Sequence, residues 1–250
     1  LAPKDDDAGW EMQDKGFKHT GDKEGWVRYQ HVESGWTRLA SKPKQPVLIT
    51  DYLGYNLTNN DSSLAGQYWV PDLMLECQAE FESASDTVTL ELVKAGVRYQ
   101  AQFAEGKCRL FSLLAGQATP TDKPLAEVET KIKGKEKHSL RFANFDARLT
   151  VWVDGKALVF GEKADYAPPD RANFAETALD LDQPARIGSK GNVTCSKVKL
   201  YRDVFYTPYP ADSTFGSNST VYTYYVQPDH FMCMGDNSAS SSDGRGWGLV

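Results

Sequence analysis

No stretch of the sequence is apolar for long enough to cross a bilayer; the longest wholly apolar runs cover only a few residues. Cys-x-x-Cys spacing is missing too. Cys77, Cys108, Cys195 and Cys233 stand far apart, which argues against a structural zinc site and leaves disulfides permitted but not required. The four histidines, His19, His31, His138 and His230, have no metal-ligand spacing and read as structural or surface residues, so no cofactor is expected. A strong charge of one sign is lacking as well. Against 34 Asp and Glu stand 28 Lys and Arg, and the net charge of −6 gives no general reason to bind nucleic acid or an anionic membrane. Helical periodicity is weak throughout, and neither internal repeats nor coiled-coil heptads occur. No secretory signal peptide is visible, and the chain opens Leu1-Ala2-Pro3, as expected of a processed chain or an excised piece.

What is present is the material of a globular β protein: 250 residues, 40% hydrophobic and 12% aromatic. Leu73, Leu75, Cys77, Ala79 and Phe81 alternate with Met74, Glu76, Gln78 and Glu80, the period of two of a strand with one face in a core. Val88–Leu92, Leu140–Phe142 and Leu149–Val153 repeat that pattern. Ala95-Gly96, Glu105-Gly106 and Asp154-Gly155 are turn signals, and the last, between two strand-like runs, predicts a hairpin. In Val193–Phe205 the alternation changes phase between Cys195 and Val198, which predicts a bulge. Residues 116–136, 161–183 and 207–220, rich in Pro, Gly and polar residues, read as loops or linkers. Many short strands with turns between them predict an all-β fold, an antiparallel jelly-roll sandwich.

The tail is different in character. Val221–Val226 and Phe231–Met234 can be two strands about a Gln-Pro-Asp turn, followed by Gly235-Asp236-Asn237, residues suited to a tight turn. Ser241, Asp243 and Arg245 alternate, so in an extended segment Asp243 and Arg245 can pair. Residues 231–248 resemble the last signature box of bacterial type I signal peptidases, matching it at Gly235, Asp236, Asn237, Ser241, Asp243, Arg245 and Gly248 and departing from it at Gly244. The resemblance implies a membrane-anchored serine endopeptidase that removes signal peptides from exported preproteins on the outer side of the cytoplasmic membrane. It also implies supporting roles: Ser241 orients a general-base Lys, Asp243 and Arg245 brace the loop, and Gly235-Asp236-Asn237 forms the turn beside the active site.

The family's nucleophile and general-base segments occur nowhere in the chain. Two Ser-x-x-Lys spacings exist, but Pro43 opposes a helical turn at Ser41–Lys44, and Ser196–Lys199 lies in a strand-like run. The chain by itself is therefore expected to be inactive, its anchor and catalytic dyad lying upstream of Leu1.

Residues 44–206 resemble a concanavalin-like, laminin-G-like sandwich, chiefly through Arg148–Phe160 and the late strand near Val198. The resemblances together imply an N-terminal arm over 1–43, the sandwich over 44–206 as an insert, and a linker with the C-terminal box over 207–250. Such sandwiches serve as lectins, glycosidases, protein-binding modules or spacers. The catalytic Glu-x-Asp-x-x-Glu strand of related glycosidases is absent, and Asp180 and Asp182 fall in an expected loop. Loop aspartates show no spaced calcium signature. Trp26, Trp36, Trp69 and Trp152 can stack on sugars or peptides but read first as core or edge packing. The alternative function is a carbohydrate- or protein-binding sandwich.

Overall fold

A computed structural model describes residues 9–32, 45–51, 69–114, 117, 120, 123–167, 174–204, 225–235 and 243–244. The chain divides into two compact units, Leu1–Ile49 with Pro71–Asp203, and Thr50–Val70 with Val204–Val250. The first is an all-β, antiparallel jelly-roll sandwich. Its described strands are β1 (Trp10–Gln13), β2 (Gly16–His19), β3 (Gly25–Tyr29), β4 (Leu73–Phe81), β5 (Thr87–Lys94), β6 (Val97–Ala104) and β7 (Lys107–Leu113). They continue with β8 (Ala126–Glu129), β9 (Lys137–Phe145), β10 (Arg148–Val153), β11 (Lys156–Ala157), β12 (Ala185–Lys190) and β13 (Val193–Arg202), and a short helix, α1 (Ala178–Asp182), precedes β12. One sheet runs β1-β2-β13-β4-β9-β10-β11 and the other β3-β12-β5-β6-β7-β8. Among the described residues no helix is long and apolar enough to cross a membrane.

The alternation in β4 puts Leu73, Leu75, Cys77, Ala79 and Phe81 inward, against Val88, Leu90, Leu92, Phe103 and Leu110 of the facing sheet. Each buried Leu or Phe contributes about 1.5–3 kcal/mol. The turn signals act as expected. Ala95-Gly96, Glu105-Gly106 and Asp154-Gly155 each take two successive positive φ angles, the I′ geometry whose twist matches a two-residue hairpin. The β13 ladder breaks register between Ser196 and Lys199, the bulge that the phase change foretold.

Several elements lie where sequence patterning reads none. Residues 10–29, expected in an arm outside the sandwich, supply β1–β3; β2 pairs with β13 and β3 with β12, so that stretch belongs to both sheets. β8 forms within the stretch read as the 116–136 loop, and α1 within the 161–183 loop. The strand expected over Phe231–Met234 does not form, and Tyr225 and Val226 are likewise outside any strand. Residues 221–224 and the 207–220 linker lie outside the described residues.

Candidate functional site

The outward face of the six-stranded sheet departs from the usual solvated pattern. Thr89 and Glu91 alternate with the core residues of β5, yet they are only 1% and 0% exposed. A carboxylate this deep must be compensated. Register supplies the partners: β12 sets Arg186 opposite Glu91 on one side, and β6 sets Gln100 opposite on the other. Arg186 Nε donates to Glu91 Oε1 at 2.7 Å, and Gln100 Nε2 donates to Glu91 Oε2 at 2.6 Å. Arg98 approaches Oε2 at 3.9 Å. These contacts fix the carboxylate at the centre of the face.

Beside it lies Trp26, opposite Gly188 in the β3–β12 register. A Cβ on Gly188 would meet the indole ring at 2.8 Å, so the glycine lets the ring lie against the strand. The Arg186 guanidinium sits 4.4 Å from the ring centroid, a cation–π contact that joins the indole to the Glu91 cluster. At the rim, burial pushes the Glu24 carboxyl up, against the opposing effects of a hydrogen bond with Trp26 and the charges of Arg186 and Lys190.

The same face keeps unspent polar capacity. The Thr89 hydroxyl and the Arg28 Nε are buried with no hydrogen-bond partner among the described residues. Gln102, directly opposite Thr89 and half-buried, has a side-chain amide that is likewise unengaged among them. A face with an aromatic plate, a fixed carboxylate, fork-shaped donors and unfilled donors and acceptors can hold a polar, flat-sided ligand. An apolar cleft of about 250 Å³ opens between the sheets at Tyr29, Leu75, Ala185, Ile187, Val198 and Leu200, with Arg186 also among its lining residues.

The residues expected from the C-terminal box fare unevenly. Gly235 and Asp243 do meet: the Gly235 N–H donates to Asp243 Oδ2 at 2.9 Å, with Asp243 buried. The Gly244 N–H donates to the Cys233 carbonyl at 2.8 Å, closing the same small loop. Asp236, Asn237, Ser241 and Arg245 lie outside the described residues, as do Trp36 and the Ser41–Lys44 pair. Ser196 and Lys199 flank the β13 bulge in extended chain, far from a helical turn. Asp180 and Asp182, expected in a loop, sit on α1, where Asp180 caps backbone rather than facing a ligand. Trp152 lies beside Arg141 on the outside of the other sheet, and Trp69 forms an isolated bridge with Thr50. His19 bonds the Gly191 carbonyl, His31 the Tyr29 hydroxyl, and His230 the Pro228 carbonyl. Among the described residues no group of His, Cys, Asp or Glu could hold a metal.

No protein-family model matches the chain, and no curated protein matches it. Solved structures do. The carbohydrate binding module CBM66 from Bacillus subtilis is 12% identical, covering 78% of this chain and 91% of its own, with a TM-score of 0.47. Sheep galectin-11, in complex with glycerol, is 14% identical over 64% of this chain and 100% of its own, with a TM-score of 0.36. A mutant Trypanosoma rangeli sialidase displaying trans-sialidase activity is 14% identical over 78% of this chain but 26% of its own, with a TM-score of 0.38. At these scores the likenesses assign neither ligand nor site.

Neither a family model nor a curated protein supports the resemblance to signal peptidases read from residues 231–248, and that reading does not stand. The serine-endopeptidase activity it implied falls with it. The physical reason is that Gly, Asp, Asn, Ser and Arg are the ordinary residues of tight polar turns, so a short box of them is met without the enzyme around it.

Sequence reading missed Glu91, Gln100, Arg186 and Arg28 altogether. Glu91 and Arg186 are 95 positions apart, and only strand register brings them together. The one signal available was a pair of alternating dipeptide patterns, Trp26-x-Arg28 and Arg186-x-Gly188, in which a glycine faces a tryptophan.

Proposed function

We propose that this chain is a glycan-binding β-sandwich module whose ligand lies on the outward face of the six-stranded sheet. The observation that carries the reading is Trp26, seated on Gly188 and held beside the buried Glu91–Arg186–Gln100 cluster. A sugar ring has an apolar C–H face that packs on an indole, and hydroxyls that take paired hydrogen bonds from planar side chains. Thr89 and Gln102 supply the unfilled groups for those hydroxyls. A flat face with a few fixed polar groups suits an extended oligosaccharide better than a protein hot spot, which needs a deep apolar pocket.

The test is a glycan array followed by titration calorimetry with the bound oligosaccharide. Trp26→Ala should weaken binding at least tenfold, about 1.4 kcal/mol, and Gln102→Ala should weaken it by a smaller factor, both variants remaining folded by circular dichroism. An array on which nothing binds, or a Trp26→Ala variant that binds as tightly as the parent, sinks the reading.

A further inference from the structure

We infer that the sugar bound on this face carries a carboxylate, a uronic acid, and that Arg28 recognises it; the inference rests on the glycan-binding reading above. Arg28 on β3 stands directly opposite Arg186 on β12. Like charges facing each other across a strand pair destabilise a sheet unless each finds a counter-charge. Arg186 has found one in Glu91. Arg98, on the far side, leans on that same carboxylate. Two guanidinium groups thus share one central carboxylate, and Arg28 is not one of them. Glu24 at the rim is engaged by Trp26 and lies in the fields of Arg186 and Lys190; Arg28 is not among its partners.

Arg28 is left with no ion pair or hydrogen bond among the described residues; its Nε is buried, while the residue as a whole stays partly exposed. A guanidinium presents two parallel N–H bonds at the spacing of the two oxygens of a carboxylate, so a planar carboxylate is the group that fills this vacancy best. A second, independent observation points to a ligand on the same face. Thr89 is 1% exposed and its hydroxyl is orphaned, the kind of group that folded proteins ordinarily satisfy. From β3 to β6 is three strand spacings, about 14 Å, so Arg28 and Gln102 span more than one sugar ring. The acidic residue would lie at the β3 side, with its neighbour crossing Trp26 toward Thr89 and Gln102.

The experiment measures affinity for oligogalacturonate, oligoglucuronate and oligomannuronate, each against its carboxyl-reduced neutral counterpart. At least one uronate should bind tenfold or more tightly than its neutral form. In Arg28→Gln the ratio of the two affinities should fall to about one, and in Arg28→Lys it should keep an intermediate value. Neutral forms that bind wild type as well as the uronates overturn the inference while leaving the glycan reading standing, provided Trp26→Ala weakens both. An unchanged ratio in Arg28→Gln, or equal loss of both ligands in a folded variant, also overturns it. Failure of every glycan to bind overturns the inference and the reading together.

Discussion

Asp154 shows how much one side chain settles at a hairpin. With φ at 51° it takes the first left-handed position of the β10–β11 turn, where Asp and Asn are the least strained of the side-chain-bearing residues. Its Oδ1 accepts the Ser139 N–H at 2.9 Å, and its Oδ2 bonds His138 Nδ1 at 2.8 Å, while His138 Nε2 meets Glu136 at 3.1 Å. Burial pulls the Asp154 carboxyl up, but the bonds from His138 and Ser139 and the nearby positive charges outweigh it and hold the group below the usual aspartate range. A lowered carboxyl binds fewer protons folded than unfolded. Its contribution is therefore complete above about pH 3.9 and fades as pH falls through the lower folded value. Asp154→Asn keeps the turn and an acceptor for Ser139 but loses the charge. At pH 6 it should be less stable than wild type by under about 1 kcal/mol, because the pair is half-exposed. Urea titration at pH 6 and pH 3 checks this: the gap should shrink at pH 3, and a gap that grows there contradicts the account.

At the scale of elements, the β5–β6 hairpin is tied down by a helix too short to stand alone. Asp180 of α1, 2% exposed, accepts the N–H groups of Ala95 and Gly96 at 2.9 and 3.0 Å. It also accepts the N–H of Thr177 at 2.9 Å and its hydroxyl at 2.7 Å. One carboxylate thus caps α1 and closes the turn. Asp180→Ala strands three backbone donors and should cost about 3 kcal/mol or more in chemical denaturation, with Asp180→Asn intermediate; a loss below about 1 kcal/mol for the alanine variant would show that the donors find other partners. That clamp was invisible in the sequence because its halves are 84 positions apart. What could be read was local. Alternation gave β4, β5, β9 and β10, paired turn residues marked three turns and, at Asp154-Gly155, a hairpin, and a phase slip gave the β13 bulge. β1 escaped because only Trp10 of its four residues is buried, leaving no alternation to see. The site escaped for the opposite reason. Thr89 and Glu91 looked like the solvent side of a half-buried strand, and only lateral register with β12 and β6 makes them the floor of a polar face.

Across the whole molecule, the four cysteines are free thiols and report on how its parts hold together. Cys77 and Cys195 lie in the seven-stranded sheet and Cys108 in the six-stranded one, yet all three are buried in one continuous core. The Cys77 thiol is pushed up by its hydrogen bond with Cys195 and by burial, and burial alone pushes up Cys108. Neither offers a reactive thiolate while the sheets stay packed. Cys233, in the other compact unit, is exposed. A chromogenic disulfide reagent should therefore titrate one thiol at once in native protein. The remaining three should react only through opening, at a rate reduced by the open fraction, below about one in a thousand for a domain of ordinary stability. In graded urea the three should become reactive together, since neither sheet can expose its inner face without exposing the other's. Variants carrying single cysteines resolve the order: Cys108 reacting in a separate, earlier transition than Cys77 and Cys195 would mean that the sheets part independently and that the core is not one cooperative body.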